Sequence, residues 1–496
     1  MEDQYFLERE LDETSLDQTI KNFYQQKDAA GPSMKGEVQS FFSSSIVQQG
    51  VNSEEYIHVL AHKVLPYVSH IASPTFIGHM TSRLPTFMTQ MARLVVALNQ
   101  NVLKVETSNA LTFQEKEVIA QVHRLIYLFE DEFYKVHIQN PATSLGFFTS
   151  GGTLSNLTAI YAALNNSIEC EGNRLKYWLA HGYSDVVMIG SKLLHYSFGK
   201  IALLLGVTLL KCPVTSEYQI DLEKLAELLE QCQRESKKVI ALIGIAGSTD
   251  FGSIDDLAGM ARLADKYGVH FHVDGAWGGA FILSSAHRYL LSGIEKADTV
   301  SLDGHKQLML PMGSGMLFFK DPFLARVNLQ HAPYAVRRDS ADLGRFTIEG
   351  SRAANGLYLD AALKILGLKG YERILEHSLS NTRYMANQVD EGECFELLSR
   401  PPLNLLLYRY LPAAYRSRVI EPSEQTFLNQ VNVHLQEEQK RRGTSFVSRT
   451  MCQLHQYPEG EIVCLRAVLF NPLTQLQDID MVLSEQIQIA QELGYA

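Results

Sequence analysis

Lys306 is the residue of this sequence whose side chain is the clearest candidate for a chemical reaction. It lies in the segment SLDGHKQ, residues 301–307, beside Gly304 and His305 and directly after a short apolar run. A lysine amine can act as a nucleophile and condense with a carbonyl group. A lysine taken alone is most often an ordinary surface residue at a strand end, so its importance depends on the rest of the chain.

Asp274 supplies a carboxylate in a comparable position. It ends the alternating run VHFHVD, residues 269–274, and small residues follow it, among them Gly275 and Ala276. A buried carboxylate needs a cationic partner, because an isolated buried charge is costly. A protonated pyridine nitrogen would serve, and the small Ala276 would let a flat ring lie against the strand. The alternative is a structural aspartate that caps a turn.

A run of hydroxyl and glycine residues opens the amphipathic helical segment at 147–166. Backbone N–H groups and the helix dipole at such an N-terminus bind anions. The run matches neither a Walker P-loop nor a G-x-G-x-x-G fingerprint, and an ordinary helix cap explains it at least as well. The candidate phosphate-binding residues are Ser150, Gly151, Gly152 and Thr153.

Two further segments carry polar residues at the ends of elements. His195 begins a helical stretch that includes Lys200. An imidazole there could stack over a flat ring and influence its protonation, although a single histidine is more often a packed or exposed residue without function. Ser248 and Thr249 follow the apolar run 239–247 and could form hydrogen bonds with oxygens of a bound group.

One cofactor accounts for all five segments. Pyridoxal phosphate (PLP) requires a lysine for a Schiff base, an acid for its ring nitrogen and a site for its phosphate. The protonated ring accepts the electrons that remain when CO₂ leaves an amino acid. The sequence therefore predicts a PLP enzyme that removes the α-carboxylate of a small amino acid. A histidine pair at 270 and 272 could mimic a metal site, but a third ligand is not evident and a structural role is favoured.

These residues require a scaffold that brings strand ends together. Between residues 113 and 365, short apolar runs alternate with helical stretches. This alternation predicts an α/β fold with a mostly parallel central sheet flanked by helices, which binds ligands at the carboxyl ends of its strands. The predicted division is a helical N-terminal segment at 1–112, a large PLP-binding α/β domain at 113–365 and a small C-terminal α+β domain at 366–496.

The composition excludes several classes of function. The 496 residues carry a formal net charge of −11, which argues against a nucleic-acid partner because phosphate binding requires a basic surface. No apolar run reaches the roughly 18 residues of a membrane helix, and the acidic start lacks the pattern of a signal peptide. A cytoplasmic protein is therefore expected. The six cysteines form no C-x-x-C pair and are interpreted as reduced thiols without a metal.

The motifs resemble those of the group II PLP-dependent decarboxylases, from about residue 70 to about residue 490. SGGTLSN is similar to the family's phosphate-binding motif SGGS-x-SN, and HYS-x-x-K is similar to the segment whose histidine stacks on the cofactor ring. HVDGAW is similar to the family's HVDAAW. GHK is similar to the segment that contains the Schiff-base lysine. The resemblance implies the PLP-dependent transferase fold of type I and a homodimer with shared active sites. The implied cofactor contacts are His195, Asp274 at the ring nitrogen, Ala276 under the ring, Asp303, His305 and the Schiff-base residue Lys306.

Three further matches extend this resemblance. HAPYAV, residues 331–336, corresponds to a mobile loop of the family, which implies that Tyr334 returns a proton to the substrate carbon after CO₂ leaves. EGSR resembles the segment that reaches the partner subunit's phosphate, which implicates Gly350 and Ser351. CLRAVLFNP resembles a segment whose arginine binds the α-carboxylate, so Arg466 is implied in that role, which suits a bidentate guanidinium.

The substrate is the least determined feature. Gln307 follows the lysine where aromatic amino acid decarboxylases usually have tryptophan, and Thr81 and Asn101, with His79 nearby, match positions that hold a distal carboxylate. The motifs are most similar to the bacterial aspartate 1-decarboxylases, which make β-alanine for pantothenate. Glutamate decarboxylation to 4-aminobutyrate and another acidic substrate such as cysteine sulfinate are the alternatives. An aminotransferase, an aldehyde synthase and a non-catalytic scaffold of the same fold are more remote.

Overall fold

The computed structural model describes most of the chain. The described residues are 11, 13–26, 28–29, 45–167, 174–328, 340–400, 402–416 and 418–495. Tyr334, the predicted proton donor, lies outside them. None of the described helices is long and apolar enough to cross a membrane.

The described elements alternate as the sequence predicts. The helices are α1 Glu13–Gln25, α2 Ser53–Val59, α3 Thr86–Leu98, α4 Ala110–Tyr127, α5 Asp131–His137, α6 Gly152–Asn166, α7 Arg174–Ala180, α8 Ser197–Leu205, α9 Leu222–Arg234, α10 Leu257–Tyr267, α11 Gly356–Ile365, α12 Gly367–Glu391, α13 Pro422–Arg442 and α14 Leu476–Glu492. The strands are β1 Gly146–Thr149, β2 Asp185–Ser191, β3 Thr208–Cys212, β4 Lys237–Ile245, β5 His270–Asp274, β6 Thr299–Asp303, β7 Gly315–Phe319, β8 Phe395–Ser399, β9 Leu405–Tyr410, β10 Ser448–Leu454 and β11 Tyr457–Val468.

The chain divides into two compact units. The large unit comprises Leu84–Glu376 and Pro401–Leu403, and the small unit comprises Met1–Arg83, His377–Arg400 and Asn404–Ala496. These units are defined by packing. The division of the sequence at residues 112 and 365 stays a prediction.

A seven-stranded sheet forms the centre of the large unit. Its strand order is β1-β7-β6-β5-β4-β2-β3. The pairs from β3 to β6 are parallel, whereas β7 runs antiparallel to both β6 and β1. The predicted mostly parallel sheet is confirmed. The strands β2, β4 and β7 are buried along most of their length, which explains why they read as nearly continuous apolar runs. The packing core includes Phe147, Ile160, Met188, Ile243 and Leu317.

The helices next to this sheet begin at polar caps. The Asp221 carboxylate accepts hydrogen bonds from the backbone N–H groups of Glu223 and Lys224 and begins α9. The Asp256 carboxylate accepts one from Gly259 and begins α10. Such caps satisfy N–H groups that have no acceptor within the helix, so each crossover starts at a defined residue.

An antiparallel sheet forms the small unit, as expected for an α+β fold. Its strand order is β10-β11-β9-β8, and buried residues of α13 and α14 join its core. Arg409 is fully buried in β9 and donates to Glu396 (2.5 Å) and to the Tyr457 hydroxyl (2.7 Å). The N-terminal part of this unit pairs with it through a hydrogen bond from Ile77 N to Phe446 O.

Candidate active site

The carboxyl ends of β1, β2, β4, β5 and β6 lie at one edge of the large unit's sheet, because these strands share a direction. Each of them is followed by one of the five segments that sequence reasoning selected. In strand order from β1 to β6, those segments carry Ser150–Thr153, His195, the pair Ser248 and Thr249, Asp274, and Asp303–Lys306. The topology thus assembles five distant parts of the sequence at the edge where such sheets bind ligands.

Lys306 lies one turn after the end of β6 and pairs with its last residue. The Lys306 Nζ atom is 3.1 Å from Asp303 Oδ2, and the Asp303 side chain is 5% exposed. The other carboxylate oxygen of Asp303 and the Nδ1 atom of His305 are buried and have no hydrogen-bond partner among the described residues. The amine is therefore held at the sheet edge beside polar atoms that remain available to a bound group.

Asp274 ends β5 and is 8% exposed. Its Oδ2 atom accepts a hydrogen bond from Asn156 Nδ2 at 2.9 Å, and its Oδ1 atom accepts from the backbone N–H of Ala276 at 3.1 Å. The Ser301 hydroxyl is a third donor, at 3.4 Å. Three donors fit an ionised carboxylate, which can only accept.

His195 precedes α8 and is partly buried. Its Nδ1 atom is 2.9 Å from the Ser197 hydroxyl and accepts from the Ser197 backbone N–H at 3.4 Å, which leaves the hydrogen of the neutral ring on Nε2. Burial lowers the pKa of His195, the nearby Asp274 carboxylate opposes that shift, and the Lys306 ammonium adds to it. The imidazole thus shares one electrostatic environment with the predicted Schiff-base lysine and its acid.

The N-terminus of α6 packs closely on the end of β6. A Cβ atom at position 152 would lie 2.9 Å from Asp303 Oδ2, so only glycine fits without displacement. The first N–H groups of this helix have no acceptor within it. The Glu349 carboxylate accepts from Ser150 N at 3.1 Å, which shows that an anionic oxygen is accommodated at this helix start.

The remaining predicted cofactor contacts differ in their exposure to solvent. Ala276 is partly exposed, whereas the residues on either side of it are buried. Thr249 is also partly exposed. Ser248 is buried, and its hydroxyl lies 2.8 Å from that of Ser253 within the loop after β4.

The predicted pair Gly350 and Ser351 is exposed and is tied to Asn101. Asn101 donates to the Ser351 hydroxyl at 3.1 Å, and its Oδ1 atom accepts from the backbone of Leu103 at 3.0 Å and of Arg352 at 3.1 Å. Asn101, a predicted substrate contact, therefore holds the segment of Ser351 in the large unit.

Three predicted substrate contacts belong to the small unit. Arg466 lies in β11, is 8% exposed and donates to the Ser448 hydroxyl at 3.2 Å. The Nδ1 atom of His79 is 2.8 Å from the Thr81 hydroxyl and accepts from the Thr81 backbone N–H at 3.2 Å.

Sequence reasoning missed several residues that shape this site. Asn156 and Ser301 reach Asp274 directly, and Arg352 forms a buried ion pair with Glu115 at 3.0 Å beside the segment of Ser351. A signal for Ser301 was present in the alternation of TVSLD, which places its side chain on the same face of β6 as that of Asp303. Asn156 is the last residue of the quoted SGGTLSN motif.

The residues at the sheet edge fit PLP. An amine, an ionised carboxylate and a helix N-terminus lie at the same edge, which are the three groups that the cofactor requires. The buried polar atoms of Asp303 and His305 that lack partners among the described residues add capacity for a polar ligand. Among the described residues there is no group of three side chains that could hold a metal ion.

Comparisons with known proteins identify the family of the chain. The family model described as "Pyridoxal-dependent decarboxylase conserved domain" matches residues 41–411. Aspartate 1-decarboxylase of Aliivibrio fischeri is 36% identical, over 96% of this chain and 91% of that protein. Cysteine sulfinic acid decarboxylase of Mus musculus is 25% identical, over 92% of this chain and 90% of that protein.

Solved structures share the fold. The crystal structure of mouse CSAD in apo form superimposes with a TM-score of 0.86 at 23% identity and covers 97% of this chain and 98% of its own. The crystal structure of Oryza sativa TDC with PLP and tryptamine gives a TM-score of 0.83 at 18% identity, over 97% of this chain and 98% of that chain. The predicted fold of type I is confirmed, and the chain belongs to the pyridoxal-dependent decarboxylase family.

Proposed function

We propose that this protein removes the α-carboxylate of L-aspartate and releases β-alanine and CO₂, the product serving as a precursor of pantothenate. The observation that carries this proposal is the 36% identity with an aspartate 1-decarboxylase along nearly the whole chain. Relatives with other substrates are less similar, at 25% for a cysteine sulfinic acid decarboxylase and 28% for an L-2,4-diaminobutyrate decarboxylase. We take the substrate to be the one named for the more similar relative.

The large unit supplies the residues for the cofactor. Lys306 is proposed to hold PLP covalently, and the α6 N-terminus with Ser150–Thr153 to hold its phosphate. Asp274 would accept a hydrogen bond from the ring nitrogen, and His195 would lie against the ring. Bound PLP supplies an electron sink for the bond to the departing carboxylate. The chain's own contribution is to fix the ring, keep an ionised carboxylate at its nitrogen and place a lysine amine beside it.

The substrate is proposed to be held by residues of other segments. The guanidinium of Arg466 would bind a carboxylate of aspartate in a bidentate manner, and the Thr81 hydroxyl, with His79 beside it, would donate to the second carboxylate. Tyr334 is proposed to return a proton to the α-carbon, which is general acid work. A specificity for aspartate then depends on where donors stand relative to the distal carboxylate, because one methylene by itself discriminates weakly.

A homodimer in the cytoplasm is part of this proposal. The large unit exposes neighbouring apolar side chains on α8, with Leu203 86% and Leu204 72% exposed. On α3, Val96 is 74% exposed. Exposed apolar groups of this kind favour burial against a second copy, and Gly350 and Ser351 are proposed to reach the partner's cofactor phosphate. Sedimentation of the purified protein with PLP would show a dimer if this is right and a monomer if it is wrong.

A substrate panel tests the reaction. The purified protein with PLP is incubated separately with L-aspartate, L-glutamate and L-cysteine sulfinate, and amine products and CO₂ are quantified. We expect β-alanine from aspartate at the highest kcat/KM, and a loss of activity on the order of a thousandfold or more in Lys306→Ala. Faster formation of 4-aminobutyrate or hypotaurine would replace aspartate by glutamate or cysteine sulfinate. Keto acid or aldehyde would show a different reaction on the same scaffold, and no turnover of any amino acid would favour a non-catalytic protein.

A further inference from the structure

A row of polar side chains leads from Asp274 into the interior of the large unit. Asn156 Nδ2 is 2.9 Å from Asp274 Oδ2, and Asn156 Oδ1 is 3.0 Å from His272 Nε2. His272 Nδ1 is in turn 2.9 Å from the Thr299 hydroxyl, which lies 2.8 Å from His270 Nε2. Asn156, His272 and Thr299 are each at most 1% exposed. We call these four residues, Asn156, His272, Thr299 and His270, the polar row.

The spacing of residues on two neighbouring strands produces this row. Alternation in HFHVD places His270 and His272 on the same face of β5 as Asp274. β6 runs parallel beside it, with Thr299 paired to His272 and Ser301 paired to Asp274. The intervening residues of both strands are apolar and face the other way. One face of the sheet therefore presents a polar stripe that ends at the Asp274 carboxylate.

The Asp274 carboxylate fixes the direction of every hydrogen bond in the row. An ionised carboxylate can only accept, so the carboxamide of Asn156 must direct its Nδ2 group to Asp274 and its Oδ1 atom to His272. His272 must then carry its hydrogen on Nε2 and accept at Nδ1 from the Thr299 hydroxyl. Thr299 has one hydrogen, so it accepts from His270 Nε2. In this arrangement each of the four side-chain hydrogen bonds has one donor and one acceptor.

The surroundings of His272 keep it neutral, as this scheme requires. Burial lowers its pKa, and the Asp274 carboxylate only partly opposes that effect. Burial likewise lowers the pKa of His270, against the opposing effect of Asp298. A neutral imidazole with one donor and one acceptor can transmit a fixed orientation from Thr299 to Asn156.

We propose that Asn156, His272 and Thr299 are positioning residues that hold the Asp274 carboxylate oriented towards the ring nitrogen of PLP. This inference rests on the proposed role of Asp274. It assigns a function to His272, one member of the histidine pair at 270 and 272 that the sequence alone favoured as purely structural. The hydroxyl of Thr299 acts on Asp274 only through the two intervening side chains of His272 and Asn156, so its removal isolates the effect of the row.

The test compares hydroxyl removal inside and outside the row. Thr299→Val removes the donor to His272, and Thr299→Ser retains it. Thr158→Val is the matched control, because Thr158 is a buried threonine of the same core whose hydroxyl donates to Leu154 O and lies outside the row. Asn156→Leu removes the direct donor to Asp274. For each protein, the Kd for PLP is measured by fluorescence of the apoprotein, together with the absorbance spectrum of the bound cofactor and the melting temperature of the apoprotein.

We expect Asn156→Leu to raise the Kd for PLP about tenfold, as for the loss of one hydrogen bond to a charged group. Thr299→Val should raise it about threefold and shift the cofactor absorbance in the same direction, while Thr299→Ser and Thr158→Val leave both unchanged. A Thr299→Val protein with a lower melting temperature but an unchanged Kd and spectrum would overturn the proposal, because the row would then be only structural.

Two further measurements separate this proposal from the assignment of Asp274. In the apoprotein, ¹⁵N NMR of the histidine side chains should show His272 as the neutral Nε2–H form, and a hydrogen on Nδ1 would overturn the scheme. Asp274→Asn should change the Kd for PLP and the spectrum more than any variant of the row. If Asp274→Asn leaves both unchanged, the failure lies in the role of Asp274 itself, and the inference falls with it.

Discussion

The residues proposed for the cofactor and those proposed for the substrate differ in how firmly their surroundings hold them. Asp274 and Lys306 follow buried strands of one sheet, and Asp274 receives three donors from its own unit. In contrast, His79 is exposed, Thr81 is partly exposed, and the two are hydrogen-bonded to each other. A site that uses the same cofactor in every turnover benefits from fixed hydrogen-bond partners, because groups that are already oriented require no reorganisation free energy. Substrate contacts on less buried segments, such as those of His79 and Thr81 but not the buried Arg466, can differ between relatives with little change to the fold.

Substitution of the lysine proposed to hold the cofactor should have the largest effect on activity, and it tests the cofactor side of this comparison. We expect Lys306→Ala to lower kcat for aspartate on the order of a thousandfold or more, as removal of a covalent catalyst does. Lys211→Ala is the control, since that lysine is exposed on the edge strand β3. Activity is measured as the rate of β-alanine formation. A Lys306→Ala protein that keeps more than a tenth of the activity would show that another amine carries the chemistry.

Arg466 tests whether cofactor and substrate are bound by separate sets of residues. We expect Arg466→Met to lower kcat/KM for aspartate about a hundredfold, because a charged bidentate contact is lost. The kcat/KM of Arg466→Lys should lie between those of the natural protein and Arg466→Met, since an ammonium group cannot reproduce the planar fork of the guanidinium. The Kd for PLP, measured on the same proteins, should change less than twofold. A parallel loss of PLP affinity would contradict the separation.

The large unit contains a buried histidine that should make its stability sensitive to acid. His123 is fully buried between the Tyr134 hydroxyl and Phe319 O, and burial lowers its pKa to about 4. Its folded-state pKa is below the unfolded value of about 6.5, so the unfolded chain binds more protons in that interval. The stability contributed by neutral His123 is present above pH 6.5 and is lost as the pH falls towards 4.

This loss is measurable with His123→Gln. Between pH 7 and pH 5, the apoprotein should lose about 2 kcal/mol less stability in the variant than in the natural protein. Urea unfolding at the two pH values, followed by circular dichroism, gives the difference. His434→Gln is the control because that histidine of the small unit is exposed. Equal losses in all three proteins would show that His123 does not contribute to the acid sensitivity.

The strands that carry the candidate site could be predicted from the sequence because the fold of the large unit obeys local rules. Apolar runs at 186–190, 239–247, 269–274, 299–303 and 315–320 coincide closely with β2, β4, β5, β6 and β7, and parallel strands place their carboxyl ends at one edge. The antiparallel pairing of β7 with β6 and β1 could not be predicted. It depends on which strands are neighbours in the sheet, and the periodicity of apolar residues does not determine that order. The donors to Asp274 were missed for the same reason, since Asn156 meets Asp274 only through tertiary packing.

The smallest expected effect concerns Thr81 and Asn101, which the sequence treats alike and the structure distinguishes. The Asn101 side chain makes three hydrogen bonds, of which two hold Ser351 and Arg352 and the third is to Leu103. We therefore expect Asn101→Ala to lower kcat/KM for aspartate and glutamate by the same factor, about threefold, the effect of weakening a partly exposed hydrogen-bonded turn.

Thr81→Val should instead change the ratio of the two kcat/KM values about fivefold, because a hydroxyl that donates to the distal carboxylate is placed correctly for only one chain length. Both variants are assayed with each amino acid at saturating PLP. A changed ratio in Asn101→Ala would make Asn101 a direct substrate contact in spite of its three internal hydrogen bonds. An unchanged ratio in Thr81→Val would remove that hydroxyl from the substrate site, and specificity would then have to come from residues beyond these two.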